Sequence, residues 1–516
     1  MHKSNLTRRE FIKAGTVMGA ALAMGAGLNA CAHKEAALPG ADTGAGKTAT
    51  PRPFAGDYDV IIVGAGPGGC LAARDLARQG FSVGLFDAST ADALGKPIII
   101  EAEQQIFRQV GVEPPSGDLI PYHPERIRVF SSRDHEAFSI DCKAYALPVA
   151  LHLNRFVQRL LDDAIRSGVR FHGGYRAVAP LTGAGWVEGA RFETSGGGTA
   201  EVRARIVIDA SGYHAVLARQ LPPEFGIAFP EDELHVVSAA NHFHAIDADA
   251  ARAAVAKGLH GDEETWTRVG NYGSYSTVFS FLSLQHQRAY ILVGYKKTQE
   301  AAITVGTAVE RFRERQGYFG QELSGGGGLI RIRHSLDKPV ANGFMAIGEA
   351  ACQVIPMHSS GVASSLYAGN LAAQAAAQAL KGGDASQKAL WPYAARYQHA
   401  RGRTLAAMDA VRLTLESLPP ERIADLVEAG LMSKDDMINA FLAQMPGVSA
   451  ASIPGRLPGL VRHPRLVPKI AGMGLAIEEV KRHYKRYPAQ YDRDKFLAWS
   501  RGNEHIFEPL MENVQR

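Results

Sequence analysis

A chain of 516 residues with 46% hydrophobic and 21% charged composition carries enough apolar material for a large core, most simply as two interleaved domains. Its formal net charge of +4 comes without a Lys/Arg-rich block interleaved with aromatics, which excludes nucleic acid as an expected partner. Four cysteines (Cys31, Cys70, Cys142 and Cys352) are too sparse for a disulfide scaffold and lack paired metal-ligand spacing, so no metal is expected.

Residues 6–13, LTRREFIK, put Arg8 and Arg9 ahead of a bulky apolar pair and a lysine, and resemble the twin-arginine export signal. The stretch 14–30 is so rich in Gly and Ala that it suits a signal core better than a membrane span. Residues 1–32 are therefore set apart from the fold, and the resemblance implies passage through the twin-arginine export machinery to the periplasm or cell envelope. The segment ending Asn29-Ala30-Cys31 is similar to a lipoprotein processing site with Cys31 as lipid anchor, and ordinary cleavage also fits it. Residues 33–56, dominated by Ala, Gly, Thr and Pro, read as a flexible linker.

The run 58–63, YDVIIV, predicts a buried strand, followed at once by Gly64-Ala65-Gly66-Pro67-Gly68-Gly69 and a helical pattern. Gly64 permits the tight turn, Gly66 lets backbone approach a pyrophosphate, and Gly69 allows close helix packing. A second strand over 82–86 ends in Asp87, placed to accept hydrogen bonds from a ribose. Strand, turn, helix, strand and acid together predict an adenine dinucleotide site of Rossmann type, without separating FAD from NAD.

Two later segments make that distinction. Residues 205–221 run as an apolar strand into Asp209-Ala210-Ser211-Gly212, with a helix expected near Val216. Residues 343–373 combine Gly348-Glu349 with a loop containing Pro356 and a helix from Gly361 to about residue 380. Both resemble motifs of the flavoprotein family that contains geranylgeranyl reductases, flavin-dependent halogenases and aromatic hydroxylases. The resemblance, over roughly residues 57–380, implies FAD as cofactor, with Asp209, Gly212, Glu349, Pro356 and Gly361 at its site. Glu349 stands where the family has an aspartate against the ribityl chain, and Arg155 matches an arginine that lies against the cofactor. Ser211 replaces the aspartate usual in the hydroxylases. The paired tryptophans of the halogenases and the tyrosine–tryptophan–phenylalanine–proline stretch of the geranylgeranyl reductases are both absent.

Strand-like runs at 235–238, 275–281 and 289–293 predict an antiparallel sheet, which the resemblance places over the flavin ring with a pocket for a hydrophobic substrate beneath it. His358, in the loop before the flavin-facing helix, is the candidate acid or base. The fold class expected is α/β, a discontinuous Rossmann-type FAD-binding domain (57–225 and 325–384, including part of a substrate-side insertion at 95–150) interleaved with an antiparallel-sheet substrate domain (226–324). A helical region follows over 385–516, with helices at 416–431 and 434–445. Its basic 454–486 segment suits either a solvated face or an anionic membrane surface.

The functional expectation is an exported FAD-dependent dehydrogenase or reductase of a small hydrophobic molecule such as an isoprenoid, polyene or lipid-like compound. A quinone, redox protein or oxygen would be its electron partner, because NADPH is not expected outside the cytoplasm. An FAD-dependent monooxygenase and a flavin-binding electron carrier without its own substrate are the alternatives.

Overall fold

A computed structural model describes residues 56–515 apart from 231–232, 273–275, 300–302 and 448–452. The expected signal, the linker and Cys31 lie outside the described residues.

The β-branched run Tyr58–Val63 forms a strand with both faces buried, as the middle of a parallel sheet requires. Val83–Asp87 pairs parallel on one side of it and Thr199–Asp209 on the other. Arg170–Gly173 and Phe344–Ala346 extend the ladder outward, and Val340–Ala341 closes its edge antiparallel. Helices Pro67–Ala77, Leu153–Arg166 and Val362–Lys381 share one core with this sheet through Leu71, Leu76, Phe156, Leu160, Leu366 and Leu371. The Ala-rich run was expected to be helical to about residue 380 and does end at Gly382.

A second, seven-stranded sheet runs in the order Phe319–Arg331, Val236–Ile246, Arg288–Lys296, Thr277–Ser283, Glu264–Val269, Arg126–Ser131, Glu136–Asp141. All pairs are antiparallel except Glu264–Val269 with Arg126–Ser131, so the 95–150 insertion supplies two strands of the substrate sheet. The domain break expected at 324/325 falls inside the Phe319–Arg331 strand, and residues 325–331 belong to this second sheet. Four consecutive glycines read as a breaker in isolation; here their backbone groups are satisfied by the ladder to Val236–Ile246.

Two further expectations are corrected. No α-helix begins near Val216; the chain makes short 3-10 turns at Gly212–His214, Ala218–Gln220 and Pro223–Phe225. The buried Asp209 carboxylate accepts from the backbone N–H groups of Ser211, Leu217 and Ala218 and from the Ser211 hydroxyl, folding the segment back on itself before Pro222 and Pro223 bar a helix. The helix expected over 416–431 is shorter, Pro420–Glu428: Glu416 instead closes the preceding Arg403–Glu416 helix, and Pro419 and Pro420 set the new start.

The C-terminal helices are fastened to both domains by a buried ionic network. Arg412, fully buried, donates to Asp409 (2.7 and 2.9 Å) and Glu416 (2.8 and 2.9 Å) and contacts His235 Nδ1 at 2.8 Å. Lys296 of the second sheet reaches Glu416 at 3.3 Å, and His334 reaches Asp409 at 2.8 Å. Burial alone would raise the Asp409 pKa, but the Arg412 charge and the His334 hydrogen bond override it and hold the carboxyl well below its usual range. Arg412→Ala leaves two carboxylates buried and short of a partner, and is expected to cost about 3–5 kcal/mol of stability in chemical denaturation.

Candidate cofactor and substrate cavity

A cavity of about 1150 Å³ begins at the first loop and runs beneath the second sheet to the C-terminal helices. That exceeds the roughly 300–1,000 Å³ of an ordinary single-ligand pocket. At its first end, Gly64 has φ +106°, and a Cβ there would lie 2.3 Å from the Ala210 carbonyl oxygen. A Cβ on Gly69 would sit 2.0 Å from the Gly64 carbonyl oxygen, so helix and turn meet backbone to backbone. Gly66 differs: nothing lies within 4 Å of where its Cβ would be. The space above Gly66, at the start of the Pro67–Ala77 helix with its unpaired N–H groups, is an open cradle that fits a pyrophosphate. Asp87 lines the same end, its Oδ2 accepting from the Ala65 N–H and its Oδ1 from the Ser89 N–H, both at 2.8 Å. These bonds aim the carboxylate and leave it further lone pairs for ribose hydroxyls.

Gly212, Glu349, Pro356, His358 and Gly361 also line the cavity. Glu349 Oε1 accepts from the Arg331 N–H at 3.0 Å, and burial pushes its carboxyl from the usual 4.5 up to about 7. His358 has its Nε2 buried without a hydrogen-bond partner, and burial lowers its pKa, so the ring is neutral at pH 7. Asp209 stands behind the wall, both oxygens engaged in shaping the turn that carries Gly212. Arg155 is exposed on its helix, off the cavity wall, and donates to the Asp118 carbonyl oxygen at 3.0 Å.

The roof is the second sheet, presenting Val237, Ala239, Asn241, Thr267, Phe279 and Leu292 together with the backbone of Gly326, Gly327 and Gly328. Side chains at those glycines would intrude: a Cβ on Gly328 would come within 2.8 Å of Lys96 Nζ, which itself lines the cavity. Neither the glycine run nor Lys96 was singled out in the sequence. The far end is formed by Met408, Leu415, Leu426, Met437, Phe441, Met473 and Ile477, all from the region expected only to be helical. Helices were expected in that region, but not the surface they face.

Residues 57–406 match the model of the family described as FAD binding domain. This chain belongs to that family. Its cofactor is FAD, and it is an FAD-dependent oxidoreductase. A digeranylgeranylglycerophospholipid reductase of Sulfolobus acidocaldarius is 25% identical over 449 residues, covering 84% of this chain and 93% of the relative. One of Methanoculleus marisnigri is 28% identical over 367 residues, covering 68% and 84%. Among solved structures, a geranylgeranyl bacteriochlorophyll reductase-like protein of Thermoplasma acidophilum aligns with a TM-score of 0.63 at 18% identity, over 81% of this chain and 99% of that one. A myxobacterial chondrochloren halogenase aligns at 0.54 and 15% identity, over 87% and 97%. At these identities the structures speak for the fold alone.

The contrast between two glycines of the loop gives a test of the FAD cradle. Gly66→Ala, in open space with ordinary backbone angles, is expected to fold with near-native thermal stability and to purify with at least about tenfold less bound FAD. Gly64→Ala, in a left-handed conformation against Ala210, is expected to lose stability first. Absorbance at the flavin bands and thermal denaturation of both variants read the difference.

Glu349 has a pH signature. A carboxyl raised to about 7 in the folded state costs stability once the pH exceeds its unfolded value near 4.5. Relative to Glu349→Gln, the FAD-free wild type should therefore weaken as pH rises from about 4.5 to 7, by at most about 3 kcal/mol, and level off above. Denaturant midpoints across that range measure it.

Proposed function

We propose that this flavoenzyme adds or removes a hydride equivalent across a carbon–carbon bond of a long isoprenoid, polyene or lipid-like chain. The observation that carries the reading is the continuous cavity. Its glycine- and carboxylate-lined end fits a dinucleotide, and its other end, faced by Met, Leu and Phe side chains, offers an apolar slot that a cofactor alone would not fill. The names of the curated relatives, reductases of digeranylgeranylglycerophospholipid, are consistent with it. The electron-carrier alternative leaves that slot without a use.

FAD, when bound, supplies the hydride-equivalent chemistry. The chain's residues hold an apolar substrate and exclude water, and His358, neutral and with Nε2 free at the wall, exchanges the accompanying proton. We further propose that the enzyme is exported and works at a membrane surface, with a quinone, redox protein or oxygen as its electron partner. No helix among the described residues is long and apolar enough to cross a membrane. Leu457 and Val461 on the Ile453–Arg462 helix, and Leu475 on the Val467–Tyr484 helix that also carries the cavity-lining Met473 and Ile477, are exposed large apolar residues, with Arg462 and Arg465 exposed beside them. Such a surface suits docking on anionic lipid and a short path from bilayer to cavity.

The test is anaerobic incubation of the dithionite-reduced holoenzyme with a geranylgeranylated lipid, following return of the flavin bands near about 370 and 450 nm and a two-hydrogen mass gain per double bond. Met437→Trp, which narrows the apolar end, is expected to raise KM for the long chain about tenfold while retaining FAD. Inertness toward isoprenoid chains in both redox directions, with rapid bleaching by NADPH and oxygen uptake on an aromatic, would replace this reading with the hydroxylase one.

A further inference from the structure

On the face of the second sheet turned away from the cavity, two histidines and a glutamate converge. Val237, Ala239 and Asn241 point their side chains to the cavity; the alternate residues Ala240, His242 and His244 point to the opposite face, where Ala240 packs with the Val305–Gln316 helix. The neighbouring strand joins them through an irregularity. His242 pairs with Gly325 and Phe243 with Ser324, but His244 pairs with Glu322, so Leu323 is an extra residue. This bulge brings the Glu322 side chain onto the histidine face, which an unbroken register would deny it.

The ligand atoms offered by His242, His244 and Glu322 all lie within 4.8 Å of one another. His242 Nδ1 and Glu322 Oε2 are 3.0 Å apart. His244 is fully buried; its Nδ1 hydrogen-bonds the Gly320 carbonyl oxygen at 3.1 Å, and its Nε2 is buried with no partner at all. A backbone carbonyl on Nδ1 fixes the tautomer with a bare Nε2 lone pair, the arrangement that orients metal-bound imidazoles. An unsatisfied buried nitrogen otherwise carries a desolvation penalty that nothing offsets. Gly325 keeps the space clear, since a Cβ there would lie 2.6 Å from His242 Nδ1 and 2.8 Å from Glu322 Oε1. Arg313, a cation on the covering helix that acts on His244, is bonded to Glu310 at 2.9 Å.

We propose that His242, His244 and Glu322 form a site for one divalent transition-metal ion of the zinc type, pinning the bulged edge of the substrate sheet. Two imidazoles and a carboxylate suit zinc, and solvent completes the shell, because Glu322 is 44% and His242 21% exposed. Tetrahedral ligands at about 2.0–2.2 Å from zinc sit roughly 3.4 Å apart, a separation these side chains reach by small rotations.

The test is calorimetric titration of the chelator-treated, FAD-loaded, untagged protein with zinc chloride. One equivalent is expected to bind, and His244→Ala and Glu322→Gln are each expected to weaken it by at least about tenfold. Gly325→Ala retains all three ligands but fills the space between them, and is expected to lose zinc while its flavin absorbance stays native. Absence of zinc binding to the wild type, or undiminished binding in Gly325→Ala and Glu322→Gln, would overturn the site and leave an ion pair only.

Discussion

Backbone touching backbone is the constraint on which this architecture turns. A Cβ on Gly68 would lie 2.6 Å from the Ser365 carbonyl oxygen, and one on Gly369 would lie 2.3 Å from that of Gly68, so the Pro67–Ala77 and Val362–Lys381 helices cross with no side chain between them. Gly64 is pressed against Ala210 in the same way. Three segments separated by about 150 residues each are thereby drawn to one place. Both helices consequently open their N-termini onto a single cavity, and the positive ends of their dipoles favour an anionic dinucleotide there.

The cavity takes its amphipathic character from what covers it. On the sheet side, glycines at 326–328 leave height that ordinary strand residues would occupy. On the helical side, methionines and leucines from four different helices supply an adaptable apolar wall. That wall stays in place because Arg412, Asp409, Glu416, Lys296, His235 and His334 lock the Arg403–Glu416 helix to the second sheet and to the turns that enter and leave it. A network of buried charges is an expensive way to hold a helix, but its geometry is specific. Apolar packing alone would permit the helix to slide.

The face turned away from the cavity has its own logic. The bulge at Leu323 costs ladder hydrogen bonds, yet it places a carboxylate beside two histidines. A regular strand would have buried His244 Nε2 for nothing.

The parts of this protein that could be read residue by residue are those where chemistry acts over a few neighbours. The Tyr58–Val63 strand, the glycine turn after it, Asp87 and the Ala-rich helix all rest on local conformational rules, and FAD followed from the order of three such motifs. Readings that needed a distant partner failed or stayed open. Arg155 turned to the Asp118 carbonyl, Asp209 spent its oxygens on its own turn, and the glycine run became a strand because Val236–Ile246 supplied its hydrogen bonds. The His242, His244 and Glu322 cluster was invisible for the same reason, since about 80 residues separate its members and a one-residue bulge aligns them. Local propensity and motif order set the cofactor and the fold class. Which side chains face the substrate was decided only when the sheets and the C-terminal helices packed, because burial and register are properties of surfaces that the linear chain brings together late.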